Sequence, residues 1–196
     1  MPAANAVYST TDAVKAAGGP FSFMLSLVQT PETSRRVHFQ DCDPFGHLNN
    51  ARYLDYFLNA REDHIAEHYA LNMGQLARGQ GAAWVITKHH ISYLKPARQG
   101  VEVRICTQLI HFDNSSLVVE MQMRDATGDR LLALLWSEMV FVTVPAGIRT
   151  DHSDALMDLL DQVDVDTVEY DSDGFDERVS YVRGQLKKQR REEDKS

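Results

Sequence analysis

A short polar stretch in the first third of the chain holds the residue types that acid–base chemistry requires. It reads Asp41-Cys42-Asp43-Pro44-Phe45-Gly46-His47-Leu48-Asn49-Asn50 and continues into Ala51-Arg52-Tyr53. The side chains of Asp43 and His47 form a candidate catalytic pair. A carboxylate serves as base or nucleophile, and an imidazole exchanges protons near neutral pH.

The same stretch is typical of a loop that leads into the first turn of a helix. Pro44 and Gly46 favour a tight turn, and Asn49 and Asn50 are good N-cap residues. The start of a helix has backbone N–H groups without intrahelical partners and a partial positive charge. These features suit the oxyanion that develops when a carbonyl is attacked.

Hydrophobic periodicity predicts the elements that position this loop. Alternation predicts a strand over residues 36–40, and a helical pattern runs from residue 50 to about 73, with Gly74 as its stop. The apolar face of this helix is expected at Leu54, Leu58, Ile65 and Tyr69, opposite a polar stripe formed by Arg52, Asp55, Asn59, Asp63 and Glu67. Four more strands are predicted over 84–94, 101–105, 117–124 and 131–144, and two helices over 155–163 and 179–193.

This order of elements predicts an α+β fold. Strands joined by short turns pair antiparallel, and the simplest packing wraps one antiparallel sheet around the long helix. Such a sheet has an open edge, which a second copy of the chain would cover. We therefore expect at least a homodimer, with a tetramer as the alternative.

Composition limits the class of protein and its partners. The chain has 196 residues, of which 43% are hydrophobic and 24% charged, as expected for one globular domain with extensions or at most two small domains. The net charge of −8 is uneven, because Asp151 to Glu177 contains eleven acidic residues and no Lys or Arg. We interpret this segment as solvated and solubilising, with a specific docking role as the alternative. The remaining residues show no concentrated basic face, so no nucleic-acid partner is expected, although a phosphate-bearing ligand is compatible.

Cellular location is also predicted from composition. The apolar runs are too short to span a bilayer, and the N-terminus has no basic patch typical of a secretory signal. We expect a cytoplasmic protein without a membrane span. Cys42 and Cys106 are the only cysteines, and their spacing does not predict a disulfide framework or a zinc knuckle.

The sequence from about residue 36 to 144 resembles the hotdog-fold thioesterases, in particular the 4-hydroxybenzoyl-CoA thioesterase-like and acyl-ACP thioesterase-like branch. The resemblance depends on the block from Phe39 to Asn50, with Tyr53, Tyr56-Phe57 and Ala60-Arg61, and on the downstream segments His90 to Ala97 and Gly100 to Ile105. It implies a hotdog domain over 34–147, an N-terminal extension over 1–33, and a helical C-terminal extension over 148–196 whose charge is acidic and then mixed.

The resemblance also implies roles for the residues of the block. In that family the second Asp hydrolyses a thioester, as base or nucleophile, and its equivalent here is Asp43. His47 matches a histidine that activates or orients water, but Phe45 replaces the Asn of the acyl-ACP branch, so the full triad is not carried over. The loop of that family approaches a partner subunit. Substrate and oxyanion contacts are expected from Gly46, Leu48, Asn49, Asn50 and Tyr53, with capping and core packing as alternative roles.

Three hypotheses follow for the function. The first is an acyl-CoA thioesterase, in which CoA is part of the substrate and no cofactor is needed. Lys88, Lys95 and Arg98 are then candidates for contacts to the CoA phosphates, or else ordinary surface charges. The second is a non-catalytic protein that binds or senses acyl-CoA or acyl-ACP. The third is a zinc hydrolase, because His64-Ile65-Ala66-Glu67-His68 matches an H-x-x-E-H pattern. No third ligand is recognisable, so no metal site is predicted.

Overall fold

A computed structural model describes residues 27–193, so the predicted N-terminal extension lies outside the described residues as far as residue 26. This part of the chain contains five strands and four helices, with a 3-10 turn at Phe39–Asp41. In chain order they are β1 (Glu32–Arg36), α1 (Asn50–Tyr69), α2 (Met73–Gln80), β2 (Ala82–Tyr93), β3 (Glu102–Phe112), β4 (Ser116–Asp125), β5 (Leu131–Thr143), α3 (Asp154–Val163) and α4 (Phe175–Glu193).

The five strands form one antiparallel sheet in the order β1-β3-β4-β5-β2. This arrangement confirms the predicted sheet with one long helix against it. β2 pairs with β5 and not with β3, the next strand in the chain, so the segment over residues 94–101 connects opposite halves of the sheet. β1 and β2 are the edge strands.

The long helix α1 begins as predicted and ends earlier. The side chain of Asn49, its N-cap residue, accepts a hydrogen bond from the amide of Ala51 at 3.0 Å. The helix ends at Ala70, which has a left-handed backbone with a φ of 50°. The expected stop, Gly74, instead lies inside α2, which the sequence did not predict. The Asn72 side chain caps α2 by accepting from the amide of Gln75.

The buried face of α1 is displaced by about one residue from the predicted face. Leu54, Leu58 and Ile65 are only partly buried, although they pack against the same core. The polar stripe is exposed as predicted. The fully covered positions follow helical spacing and include a charged and an imidazole side chain: Tyr53, Phe57, Ala60, Arg61, His64 and Tyr69.

Two strands also differ from their predicted bounds. The first strand lies at Glu32–Arg36, and the alternation over 36–40 falls mostly on exposed residues of the turn that follows it. β3 continues to Phe112, beyond the predicted end at residue 105. Its polar residues Thr107 and Gln108 interrupt the apolar pattern, but both are buried and hydrogen-bonded.

The sheet is covered on both faces. α1 packs on one face, and α4 covers the other with Phe175, Val179, Val182 and Leu186, which lie against Trp136 and its neighbours. The spacing of these four α4 residues is that of one helix face. Because both faces are covered, β5 is apolar almost throughout, as predicted.

A buried ion pair fixes α4 to the sheet. Glu120 on β4 is fully buried, and Arg178 of α4 donates to its carboxylate through Nε at 2.8 Å and through a terminal nitrogen at 2.9 Å. Gln108, Gln122 and Trp136 donate further hydrogen bonds to the same carboxylate. Burial acts to raise the pKa of Glu120, but Arg178 and these donors outweigh burial and lower the pKa.

Candidate active site

Asp43 organises the loop that precedes α1. Its Oδ1 accepts hydrogen bonds from the backbone amides of Phe45 at 2.9 Å and His47 at 3.0 Å, and its own amide donates to the carbonyl of His47 at 2.7 Å. Gly46 has a φ of +72°, which the tight turn requires and which favours glycine. Within residues 27–193, no group donates a hydrogen bond to Oδ2 of Asp43. One carboxylate oxygen therefore holds the loop in shape, and the other has no hydrogen-bond partner among these residues.

Backbone hydrogen bonds hold the loop that contains Asp43 in place. The amide of Leu48 donates to the carbonyl of Ala97 at 2.8 Å, and the amide of Gln99 donates to the carbonyl of Gly46 at 2.9 Å. The amide of Asn49 donates to the carbonyl of Asp41 at 2.9 Å. The bonds to Ala97 and from Gln99 anchor the loop to the segment between β2 and β3, so long-range contacts help to fix its geometry.

These backbone hydrogen bonds limit which loop amides can donate a hydrogen bond to an oxyanion. The amides of Gly46, Leu48 and Asn49 all donate to carbonyls of the protein. The amide of Asn50, the first residue of α1, has no hydrogen-bond partner in the described part of the chain. Of the four predicted donors, Asn50 is therefore the one whose N–H is left for a ligand.

The structure places Asp43 and His47 in one turn, but they meet through the backbone. The Asp43 carboxylate accepts from the amide of His47 and not from its ring. The half-buried imidazole of His47 forms no hydrogen bond with the residues that the structure describes. It is thus available to a substrate or a water molecule.

Tyr53 is a buried brace of the site. Its side chain is 2% exposed, and its hydroxyl oxygen accepts from the amide of Ala97 at 3.2 Å. Burial raises the pKa of this phenol, so it is neutral at ordinary pH. The ring packs edge-on against Tyr93 at 5.1 Å, and the Tyr93 hydroxyl donates to the carbonyl of Asn50 at 3.0 Å.

The sequence did not single out Tyr56 and Tyr93 as site residues. Tyr56 donates to a carboxylate oxygen of Asp41 at 2.9 Å, so it supports the loop from α1. A signal for Tyr56 existed, because it lies three residues after Tyr53 and residues at that spacing share a helix face. Tyr93 reaches the site only through the folding of β2 beside α1, for which no local signal exists.

Cys42 is a poor candidate for the nucleophile. Burial, and after it the charges of Asp41 and Asp43, raises the pKa of the Cys42 thiol. The thiol lies 3.3 Å from the carbonyl of His38. Since the thiolate is the reactive form, this environment favours Asp43 over Cys42 as the reacting group.

The three candidates for phosphate contacts do not lie together. Lys95 and Arg98 line one groove of about 400 Å³, which also contains Ala97 and Arg130. Lys88 lies on the edge strand β2, where its Nζ is 3.4 Å from a carboxylate oxygen of Glu138. Lys88 is therefore separate from the basic residues beside the loop.

The two histidines of the H-x-x-E-H motif on α1 differ in burial, because His64 is buried and His68 is partly exposed. His64 is 1% exposed, its Nδ1 is 2.9 Å from the hydroxyl of Thr107, and burial lowers its pKa to about 4. The ring centroids of His64 and His68 are 6.1 Å apart. Over residues 27–193, no three His, Cys, Asp or Glu side chains are grouped so that they could hold a metal ion.

None of the helices in the described range is long and apolar enough to cross a bilayer.

Comparison with known families places the chain in a class. A sequence model of the Thioesterase-like superfamily matches residues 37–170, and the chain belongs to this family. The match begins just before the loop that contains Asp43 and includes α3, beyond the predicted domain boundary at residue 147.

Individual relatives match this chain at low sequence identity. The acyl-CoA thioester hydrolase YbgC of Escherichia coli O157:H7 is 26% identical over 91 residues, which cover 46% of this chain. The match spans 66% of that relative, just under two thirds of its length.

Solved structures support the fold. The 1,4-dihydroxy-2-naphthoyl-CoA thioesterase Slr0204 from Synechocystis aligns with a TM-score of 0.61 and 16% identity, over 67% of this chain and 95% of that one. The DHNA-CoA thioesterase from Staphylococcus aureus aligns with a TM-score of 0.63 and 15% identity, over 68% and 90%. At these identities the similarity establishes the hotdog fold alone.

Proposed function

We propose that the protein hydrolyses the thioester of a fatty or aryl acyl-CoA to the free acid and CoA. The observation that carries this proposal is the state of Asp43. One of its oxygens is held by two loop amides, and the other makes no hydrogen bond with residues 27–193. This carboxylate precedes a helix whose first amide, that of Asn50, is also without a partner there. Membership of the Thioesterase-like superfamily supports the same chemistry.

The proposed reaction uses the two unoccupied groups together. The thioester carbonyl oxygen accepts a hydrogen bond from the Asn50 amide, where the helix dipole stabilises the oxyanion. Asp43 takes a proton from the attacking water, or attacks the carbonyl carbon itself and is released by water. The C–S bond then breaks and the thiolate of CoA leaves. His47 exchanges a proton with the water or the thiolate.

The test measures thiol release from a panel of fatty and aryl acyl-CoAs. Asp43→Asn keeps an oxygen that accepts from the Phe45 and His47 amides, so the loop retains its shape while the base is lost. We expect the rate to fall by about 10²–10⁴-fold. The control is Asp55→Asn, an exposed position on α1 whose carboxylate pairs with Arg52. Equal rates for wild type and Asp43→Asn would contradict this mechanism.

A non-catalytic acyl-CoA or acyl-ACP binding protein is the second candidate. Two observations favour it: the bracing role of Asp43 Oδ1 is a common structural use of Asp, and Phe45 stands where the acyl-ACP branch has Asn. Tight binding of acyl-CoA without any thiol release would support this candidate and exclude the first.

We further propose that the protein acts as a homodimer, with a tetramer as the alternative. On the edge strand β2, Val85 and Ile86 are each 42% exposed, and on the loop Phe39 and Phe45 are 78% and 83% exposed. An open strand edge with apolar side chains is a surface that a second copy would cover. CoA would enter as part of the substrate, without a resident cofactor. The cytoplasmic location and the lack of a nucleic-acid partner stay predictions.

A further inference from the structure

We propose that α4 provides the site for the phosphorylated nucleotide of coenzyme A, an inference that rests on the proposed function. A groove of about 270 Å³ lies between α4, the β4–β5 turn and the end of β2. Its charged lining is almost entirely cationic and consists of Lys95, Arg130, Arg183, Lys187, Arg190 and Arg191. Asp129 is the one carboxylate among its lining residues.

The cations of α4 form a fixed row. Arg183, Lys187, Arg190 and Arg191 follow the spacing i, i+4, i+7 and i+8, so they lie on one face of the helix. This face adjoins the buried stripe of α4 that ends at Leu186, which also lines the groove. Because α4 is packed on the sheet and pinned by its buried ion pair, the row is held in place before any ligand binds.

The basic groove continues toward the catalytic loop. It shares Lys95 and Arg130 with the neighbouring groove of about 400 Å³, which is also lined by Ala97 and Arg98. Ala97 accepts the hydrogen bond from Leu48, and Arg98 pairs with His47 in an isolated β-bridge. A continuous surface thus leads from the reacting loop to the cations of α4.

The chemistry of coenzyme A fits this surface end to end. Its thioester lies at one end of a long, mostly uncharged pantetheine arm, and a pyrophosphate and a 3′-phosphate lie at the other. Arg and Lys side chains bind phosphate oxygens through charge-assisted hydrogen bonds. Leu94, Leu131 and Leu186 supply apolar lining for the adenine ring. The family match ends at residue 170, so the α4 cations are a feature of this chain outside the matched region.

The test compares ligands that do and do not carry the nucleotide. Binding of free CoA and of pantetheine to the full chain is measured by calorimetry. Hydrolysis of an acyl-CoA is compared with that of the same acyl-pantetheine. We expect the double variant Lys187→Ala/Arg190→Ala to weaken CoA binding and raise the KM for acyl-CoA at least about tenfold. Pantetheine binding and acyl-pantetheine hydrolysis should be unchanged.

The matched control is Lys188→Ala, because Lys188 is exposed on the same helix but does not line the groove. Lys188→Ala should behave as wild type with every ligand. If the double variant binds CoA as wild type does, or loses CoA and pantetheine binding equally, the proposal is wrong. Nucleotide-dependent CoA binding without hydrolysis of any thioester would support this site and overturn the proposed activity, so the two failures are distinguishable.

Discussion

Replacing Arg178 by Met tests whether one buried ion pair holds α4 on the sheet. The side chain of Glu120 is fully buried and that of Arg178 is 15% exposed. The substitution removes both Arg178 hydrogen bonds and leaves the carboxylate with three neutral donors. Breaking such a pair from one side lowers the free energy of unfolding by about 3–5 kcal/mol, because a buried charge is left uncompensated. That is a large share of an ordinary domain stability of about 5–15 kcal/mol.

The pH dependence of this loss has a defined sign. In the wild type the pKa of Glu120 is lowered on folding, so its contribution is present above the pKa of the unfolded chain and is lost as pH falls through the folded pKa. In Arg178→Met the effect of burial is no longer outweighed, and we expect the folded pKa to rise above the unfolded one. The variant should then regain stability as pH falls, and its deficit against the wild type should narrow.

Urea unfolding of both proteins between neutral pH and about pH 5 measures this deficit. Arg183→Met, an exposed change on the same helix, should alter stability by no more than about 0.5 kcal/mol. The double variant Glu120→Gln/Arg178→Met should recover most of the loss, since no buried charge remains. A deficit below about 1 kcal/mol, or one that does not change with pH, would refute this account of the ion pair.

Two further predictions concern the brace of the site and the open edge. Tyr53→Phe removes the acceptor of the buried Ala97 amide and should lower the free energy of unfolding by about 1–3 kcal/mol. Tyr93→Phe, at a partly exposed side chain, should lower it less. Thermal unfolding compares the two variants, and an unchanged stability of Tyr53→Phe would show that the hydroxyl is dispensable. Ile86→Lys puts a charge on the exposed edge strand β2 and should give a monomer in analytical ultracentrifugation. The control Glu67→Lys on α1 should leave the dimer intact. An unchanged dimer in Ile86→Lys would contradict dimer formation through β2.

The parts of the fold that the sequence predicts well are those with a local cause. The strand over 131–144 and the helix over 155–163 differ by at most one residue at either end from β5 and α3. The start of α1 follows from the capping chemistry of Asn49, which acts over two residues. In each case the signal and the structure it determines lie within the same short segment.

The predictions from sequence are wrong where contacts between distant residues determine the local structure. Ala70 ends α1 in a left-handed conformation that alanine rarely adopts, so its residue type gave no signal. Arg61 and His64 lie on the buried face of α1 although their types favour exposure, which displaced the predicted face.

The candidate site shows the same division. The loop and its candidate residues Asp43 and His47 were recognisable from the motif, but the hydrogen bonding of the individual amides was not. Leu48 donates to Ala97, nearly fifty residues away, and Asn49 donates to Asp41. Which N–H is left for a ligand is therefore a property of the folded chain.

The position of α4 after all five strands affects how the chain folds as it is made. Until α4 has left the ribosome, the outer surface of β3, β4 and β5 lacks its cover, and Trp136 and Glu120 are open to water. A nascent sheet with bare apolar strands is prone to associate with other chains. Completion of the fold during synthesis thus depends on α4. A fragment that stops at residue 170 would keep this apolar surface exposed and remain prone to aggregation.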